Sequence, residues 1–156
     1  MIVAHIRSSF VEAFFPRWAE WSASLVLMAL GWMLSANEDL MVKTVSTGAG
    51  RGYTLMLAIA GQGTWAFALS LFATARLIVL LVNGAWKRSP VARACFASLS
   101  CLFWSLIALS FQPTFGFAMI MAYGWLLTDF VNVMRAARDA RTVNDGLARG
   151  EGSGLE

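Results

Sequence analysis

Histidine is almost missing from this sequence: His5 is the single one in 156 residues. Metal and haem centres that need two imidazoles are excluded, no HExxH motif exists, and a Ser–His–Asp triad would have to use a residue of the N-terminal arm. Two cysteines, Cys95 and Cys101, exclude a disulfide-rich scaffold and a four-thiolate zinc site. They are six apart on one expected helix, face different ways, and read as small apolar packers. Charge is scarce too. Asp, Glu, Lys and Arg make up 13% of the chain, where soluble domains carry about 25%. That excludes a soluble globular protein and a disordered tail. The glycine strings GQG at 61–63 and GAGRG at 48–52 lack the strand–turn–helix setting of a nucleotide site. With no catalytic constellation, the expectation is a non-enzyme without a cofactor or a metal.

What is present is hydrophobic. Apolar types reach 58%, with seven Trp and eleven Phe, and the mean hydropathy is +0.64. The fold class expected is an all-α integral membrane protein. A crossing helix needs roughly 20 mostly apolar residues, and four stretches qualify: 18–36, 64–86, 91–111 and 115–134. The apolar tract from Tyr53 to Trp86 is too long for one span and too short for two. Its GQGTW string favours a turn, and Thr64 can cap a helix that starts there. Residues 53–60 then lie at the surface or dip in as a re-entrant piece. Pro113 breaks the chain between the last two spans, and Pro90 suits the first turn of the third. Trp18, Trp21, Trp65 and Trp86 are expected as anchors at the membrane interfaces.

Three regions follow. Residues 1–16 form an amphipathic interfacial arm, with Val3, Ile6, Phe10 and Phe14 on one stripe and His5, Ser8, Ser9 and Glu12 opposite. Residues 17–135 hold the four spans. Residues 136–156 form a cytoplasmic tail continuing the fourth helix, with Arg135 and Asp139 four apart on one face. The closing GSGLE resembles an added linker. Cleavage after Ala36 would put bulky Leu34 at a position that favours small residues, so a signal peptide is not expected.

Four spans put nine Lys and Arg on one side (Arg7 and Arg17 in the arm, Lys87, Arg88 and Arg93 counted with the second loop, and Arg135, Arg138, Arg141 and Arg149 in the tail) and two, Lys43 and Arg51, on the other, with Arg76 inside a span. The basic side faces the cytoplasm, so both termini are expected there, in a bacterial inner membrane. Orientation accounts for the net charge of +3, and no nucleic-acid partner is implied.

Arg76 is the most informative residue. A charge near the bilayer centre costs about 2.5–3.5 kcal/mol on insertion scales unless it is paired. Counting from the starts of the second and fourth spans at 1.5 Å per residue, Arg76 lies roughly 18 Å deep and Asp129 roughly 21 Å. The two can meet. Asn83 and Asn132 also match, at roughly 28 and 26 Å. The expectation is that Arg76 pairs with Asp129 and Asn83 with Asn132, locking the second span to the fourth. The alternatives are that Arg76 lines a wet pathway or an oligomeric interface, or snorkels to the surface. Small residues recur at heptad spacing: Gly63, Ala66, Ser70 and Ala73 in the second span, Ala94, Ser98, Cys101, Ser105 and Ala108 in the third, and Ser24, Gly31 and Ser35 in the first. Such stripes permit close helix packing, within one chain or between copies.

The string ARLIVLLVNGAWKRSPVAR at 75–93, with FW at 103–104, Asp129 and RAARDAR at 135–141, resembles small polytopic membrane proteins of bacteriophage and prophage genomes. The matching positions are Arg76, Leu77, Asn83, Gly84, Trp86, Arg88, Ser89, Pro90 and Arg93, and the likeness covers about half the chain. It implies a holin, which assembles in the inner membrane and opens lesions, or an envelope-modifying protein. Typical holins have fewer spans. The leading expectation is a self-associating, holin-like membrane protein whose partners are the lipid bilayer and its own copies. Two other readings stand beside it: an accessory subunit of a larger respiratory or photosynthetic membrane complex, and a small channel or transporter. The chain shows no inverted repeat that would favour the last.

Overall fold

The structure is a computed structural model that describes residues 17–46, 53–85, 90–111 and 116–148. The described residues form helices and no strand: α1 (Trp18–Ala36), α2 (Leu40–Ser46), α3 (Thr54–Ile59), α4 (Gln62–Ala85), α5 (Pro90–Ser110) and α6 (Phe117–Ala148). Four of them, α1, α4, α5 and α6, are long and apolar enough to cross a membrane. The chain is an all-α, four-helix membrane protein. Between 22% and 33% of each span's most apolar window is buried within the chain, and many large apolar side chains face outward. Trp32, Phe67, Leu102 and Leu127 are among them. That distribution suits hydrocarbon as the surrounding solvent.

The four spans pack as two close pairs, α1 with α4 and α5 with α6. Small residues explain the first pair. A Cβ added to Gly31 would stand 2.5 Å from Ser70 Oγ and 2.9 Å from the Ser70 backbone nitrogen. Only glycine lets the two backbones approach so closely. Ala66 and Ala73 are buried beside it. Phe72 of α4 then joins the two pairs, its ring centroid 4.9 Å from Phe103 and 5.6 Å from Phe96 on α5.

Sequence spacing placed the start of the second span at Thr64; the helix begins two residues earlier, and Gln62 shows why. Its amide donates to the carbonyls of Leu34 (2.8 Å) and Asn37 (2.6 Å) and accepts from the Met41 backbone N–H (2.8 Å). One side chain thus satisfies carbonyls at the end of α1 and an amide at the start of α2, groups that have no partner inside their own helices. Residues 54–59 form a short helix folded onto the bundle end. Met56 is fully buried, its N–H donates to Ser110 Oγ at 3.2 Å, and its carbonyl accepts from Trp65 Nε1 at 2.7 Å. Tyr53, which precedes α3, stacks edge-on against Phe111 at 5.2 Å, and burial pushes its phenol pKa up. Trp65, expected as an interface anchor, is correspondingly buried at 8% exposure, so its indole packs inside the end of the bundle. Trp18 is exposed and Trp21 partly buried, at the opposite end of the bundle; Trp86 lies outside the described residues.

The fourth span and the tail are one helix of 32 residues, about 48 Å at 1.5 Å per residue. It outruns a hydrocarbon core of about 30 Å. The interfacial arm at 1–16 and the chain beyond residue 148 lie outside the described residues.

Candidate functional site

Two buried ionic clusters cross the bundle. The central one starts from Arg76, whose long stem sits on the buried face of α4 two turns below Leu69. Its guanidinium meets the Asp129 carboxylate of α6 as a fork: Nη2 to Oδ1 and Nη1 to Oδ2, the latter at 3.0 Å. The two side chains are 2% and 0% exposed. Neutral donors complete the shell. Ser100 Oγ on α5 accepts from Arg76 Nη1 at 2.8 Å and donates to Asp129 Oδ2. Trp104 Nε1 donates to the same oxygen at 3.2 Å, and Asn132 Nδ2 donates to Oδ1 at 3.0 Å. Asp129 therefore accepts five hydrogen bonds from four residues. The Trp104 ring in turn stacks on Trp125 at 6.0 Å, which fixes its indole edge toward the carboxylate. A bidentate guanidinium–carboxylate pair with every lone pair occupied is the geometry in which a buried charge pair can offset its desolvation.

The second cluster is nearer the end of the bundle that holds the starts of α1 and α5. Arg93 Nε and Nη2 grip both oxygens of Glu20 on α1, with the Nε contact at 3.0 Å, and Nη1 donates to Asp139 Oδ2 on α6 at 2.9 Å. Glu20 also occupies the first turn of α1, where a negative charge opposes the helix dipole favourably. This cluster ties three spans together, and sequence spacing did not find it. In the sequence Arg93 passes for a charge of the second loop, and Asp139 has Arg135 four residues away on its own helix. Asp139 reaches across to α5, ten residues beyond Asp129 on the same helix, to meet Arg93.

The remaining predicted residues fall as follows. Arg76 and Asp129 are together. Asn132 is buried beside them and its amide donates to Asp129 on the same helix; the expected pairing with Asn83 falls on a side chain outside the described residues. Asn132 Oδ1 has no hydrogen-bond partner among the described residues. Of the second-span stripe, Ala66 and Ala73 are buried, Ser70 is partly buried against α1, and Gly63 is exposed. The third-span stripe is rotated from the core. Ala108 is buried, whereas Ala94, Cys101 and Ser105 are half-buried and Ser98 is exposed. The inward face of α5 runs through Arg93, Ala97, Ser100, Trp104 and Ile107, a step of three or four residues. On α1, Ser24 and Gly31 are buried and Ser35 is exposed.

Among the described residues no group of His, Cys, Asp and Glu is arranged to hold a metal ion. No family model, curated protein or solved structure matches the chain.

Proposed function

We propose that this is a non-enzymatic protein of the bacterial inner membrane that works by associating with copies of itself, opening holin-like lesions. The observation that carries the reading is the outward face of α5. Ala94, Ser98, Cys101 and Ser105 stand at helical spacing on a surface that the chain itself leaves half-covered or bare. Small side chains on a lipid-facing helix let another helix approach to backbone distance. Both ionic clusters support a rigid subunit for such an assembly, since each ties together helices from both pairs. The distribution of positive charge supports cytoplasmic termini: Arg17, Arg93, Arg135, Arg138 and Arg141 gather at one end, and Lys43 stands at the other.

The test has two arms. Sedimentation or mass measurement of the full chain in detergent gives a homo-oligomer, and Ser98→Leu combined with Ala94→Leu shifts it toward monomer. Expression in a bacterium collapses the membrane potential, and the same double variant delays that collapse. A monomer at every concentration, or an intact potential at every expression level, overturns the reading. A different protein bound at fixed stoichiometry would replace it with an accessory-subunit role.

A further inference from the structure

We infer that the outer face of α6 is a binding site for one anionic phospholipid, its phosphate held by Arg135 and Arg138 with Arg141 beneath them. All three arginines are exposed, and none takes part in an ion pair among the described residues. A helix turns about 100° per residue, so Arg138, nine residues after Asp129, lies diametrically opposite it. Arg135 and Arg141 lie about 60° to either side of Arg138, each about 120° from Asp129, and the nearby Asp139 carboxylate is engaged by Arg93, so the three arginines fan over the face that Asp129 leaves free. Above them, Leu127 and Met134 fall within about 40° of Arg138 on the same face. Both are exposed, at 66% and 48%.

The vertical spacing fits one leaflet. Leu127 lies 11 residues before Arg138, about 16 Å along the axis, which is half of a hydrocarbon core of about 30 Å. Counted from Phe117, Arg135 and Arg138 lie about 27 and 32 Å along α6, at the level where acyl chains give way to headgroups. An apolar strip one leaflet long thus ends in a ladder of three cations, about 4.5 Å apart along the axis and fanned over about 120°. An acyl chain matches the strip and a phosphodiester matches the ladder, since guanidinium groups bind phosphate oxygens in pairs. A zwitterionic lipid would bring its own cation into that ladder, so the charge selects an anionic headgroup such as phosphatidylglycerol.

Native mass spectrometry of the full chain in detergent tests this, using phosphatidylglycerol and phosphatidylcholine with identical acyl chains. Phosphatidylglycerol is retained at least about five-fold better, the effect expected of one cation near an anionic surface. Arg135→Gln with Arg138→Gln and Arg141→Gln removes the preference, while Lys43→Gln at the other end leaves it intact. Should the triple variant fail to accumulate, Arg138→Gln alone lowers the preference by about two-fold or more. Equal retention of the two lipids, or a preference that survives the arginine substitutions, overturns the site. Loss of the bound lipid to millimolar inorganic phosphate also overturns it, by making the ladder a general anion site.

Discussion

Arg76 meets one carboxylate, and Arg93 meets two. Both guanidinium groups are nearly inaccessible, yet their counter-ions differ. Around Arg76 the charge balance is one to one, and the pair's other hydrogen-bond partners among the described residues are neutral: a hydroxyl, an indole and an amide. Around Arg93 one carboxylate is buried with it, while the other, Asp139, has a side chain 55% exposed. Depth explains the difference. Arg93 stands seven residues before Ser100 on α5, about 10 Å closer to the end of the bundle. There, water can solvate an extra negative charge. In the middle of the bundle an unmatched charge has no solvent, so the chain supplies dipoles in place of ions.

The comparison can be broken most forcefully at its centre. Asp129→Leu leaves Arg76 without its counter-ion and should destabilise the protein by about 3–5 kcal/mol, the cost of an uncompensated buried charge. Thermal denaturation in detergent and the yield of membrane-inserted protein would report it. The double variant Arg76→Leu with Asp129→Leu should recover most of that loss, because removing both charges removes the desolvation cost as well. A double variant as unstable as the single one would mean that the shape of the cluster matters more than its charge. Next in size comes Arg93→Leu. Glu20 loses its partner, but the site lies close to solvent and Asp139 can hydrate. We expect about 1–3 kcal/mol by the same assay. The smallest effect belongs to Asp139→Asn, at most about 1 kcal/mol, and raised ionic strength should diminish it. A loss from Asp139→Asn comparable to that from Asp129→Leu would abolish the distinction between the two depths.

The sequence disclosed the spans and the central pair for the same reason. Hydrocarbon thickness converts residue number into depth, and a charge in a span must find another at its own level. Rotation about the helix axis was much less legible. In a soluble helix the polar face marks the outside, whereas on α5 Leu102, Val91 and Leu99 face outward and Ala97 and Ser100 face inward. Hydrophobicity no longer separates core from surface, so nothing in the sequence shows that the inward face of α5 lies about one residue round from the heptad of small residues. Arg93 escaped notice because it is close enough to the end of its helix to pass for a loop charge. The inward turn of Trp65 was not legible because depth alone cannot tell an indole facing lipid from one bonded to Met56. Gln62 was read as part of a turn, and nothing local reveals that its amide closes the ends of two other helices.

The central pair also constrains how the protein is made. Its two members are 53 residues apart, and ribosomes add about 5–20 residues per second. The arginine is synthesised roughly 3–10 s before its carboxylate. During that interval the half-finished chain carries an unneutralised cation in its second hydrophobic segment. Until the last helix arrives, the second segment bears the insertion cost of that charge, about 2.5–3.5 kcal/mol, and the arrival of the carboxylate offsets it.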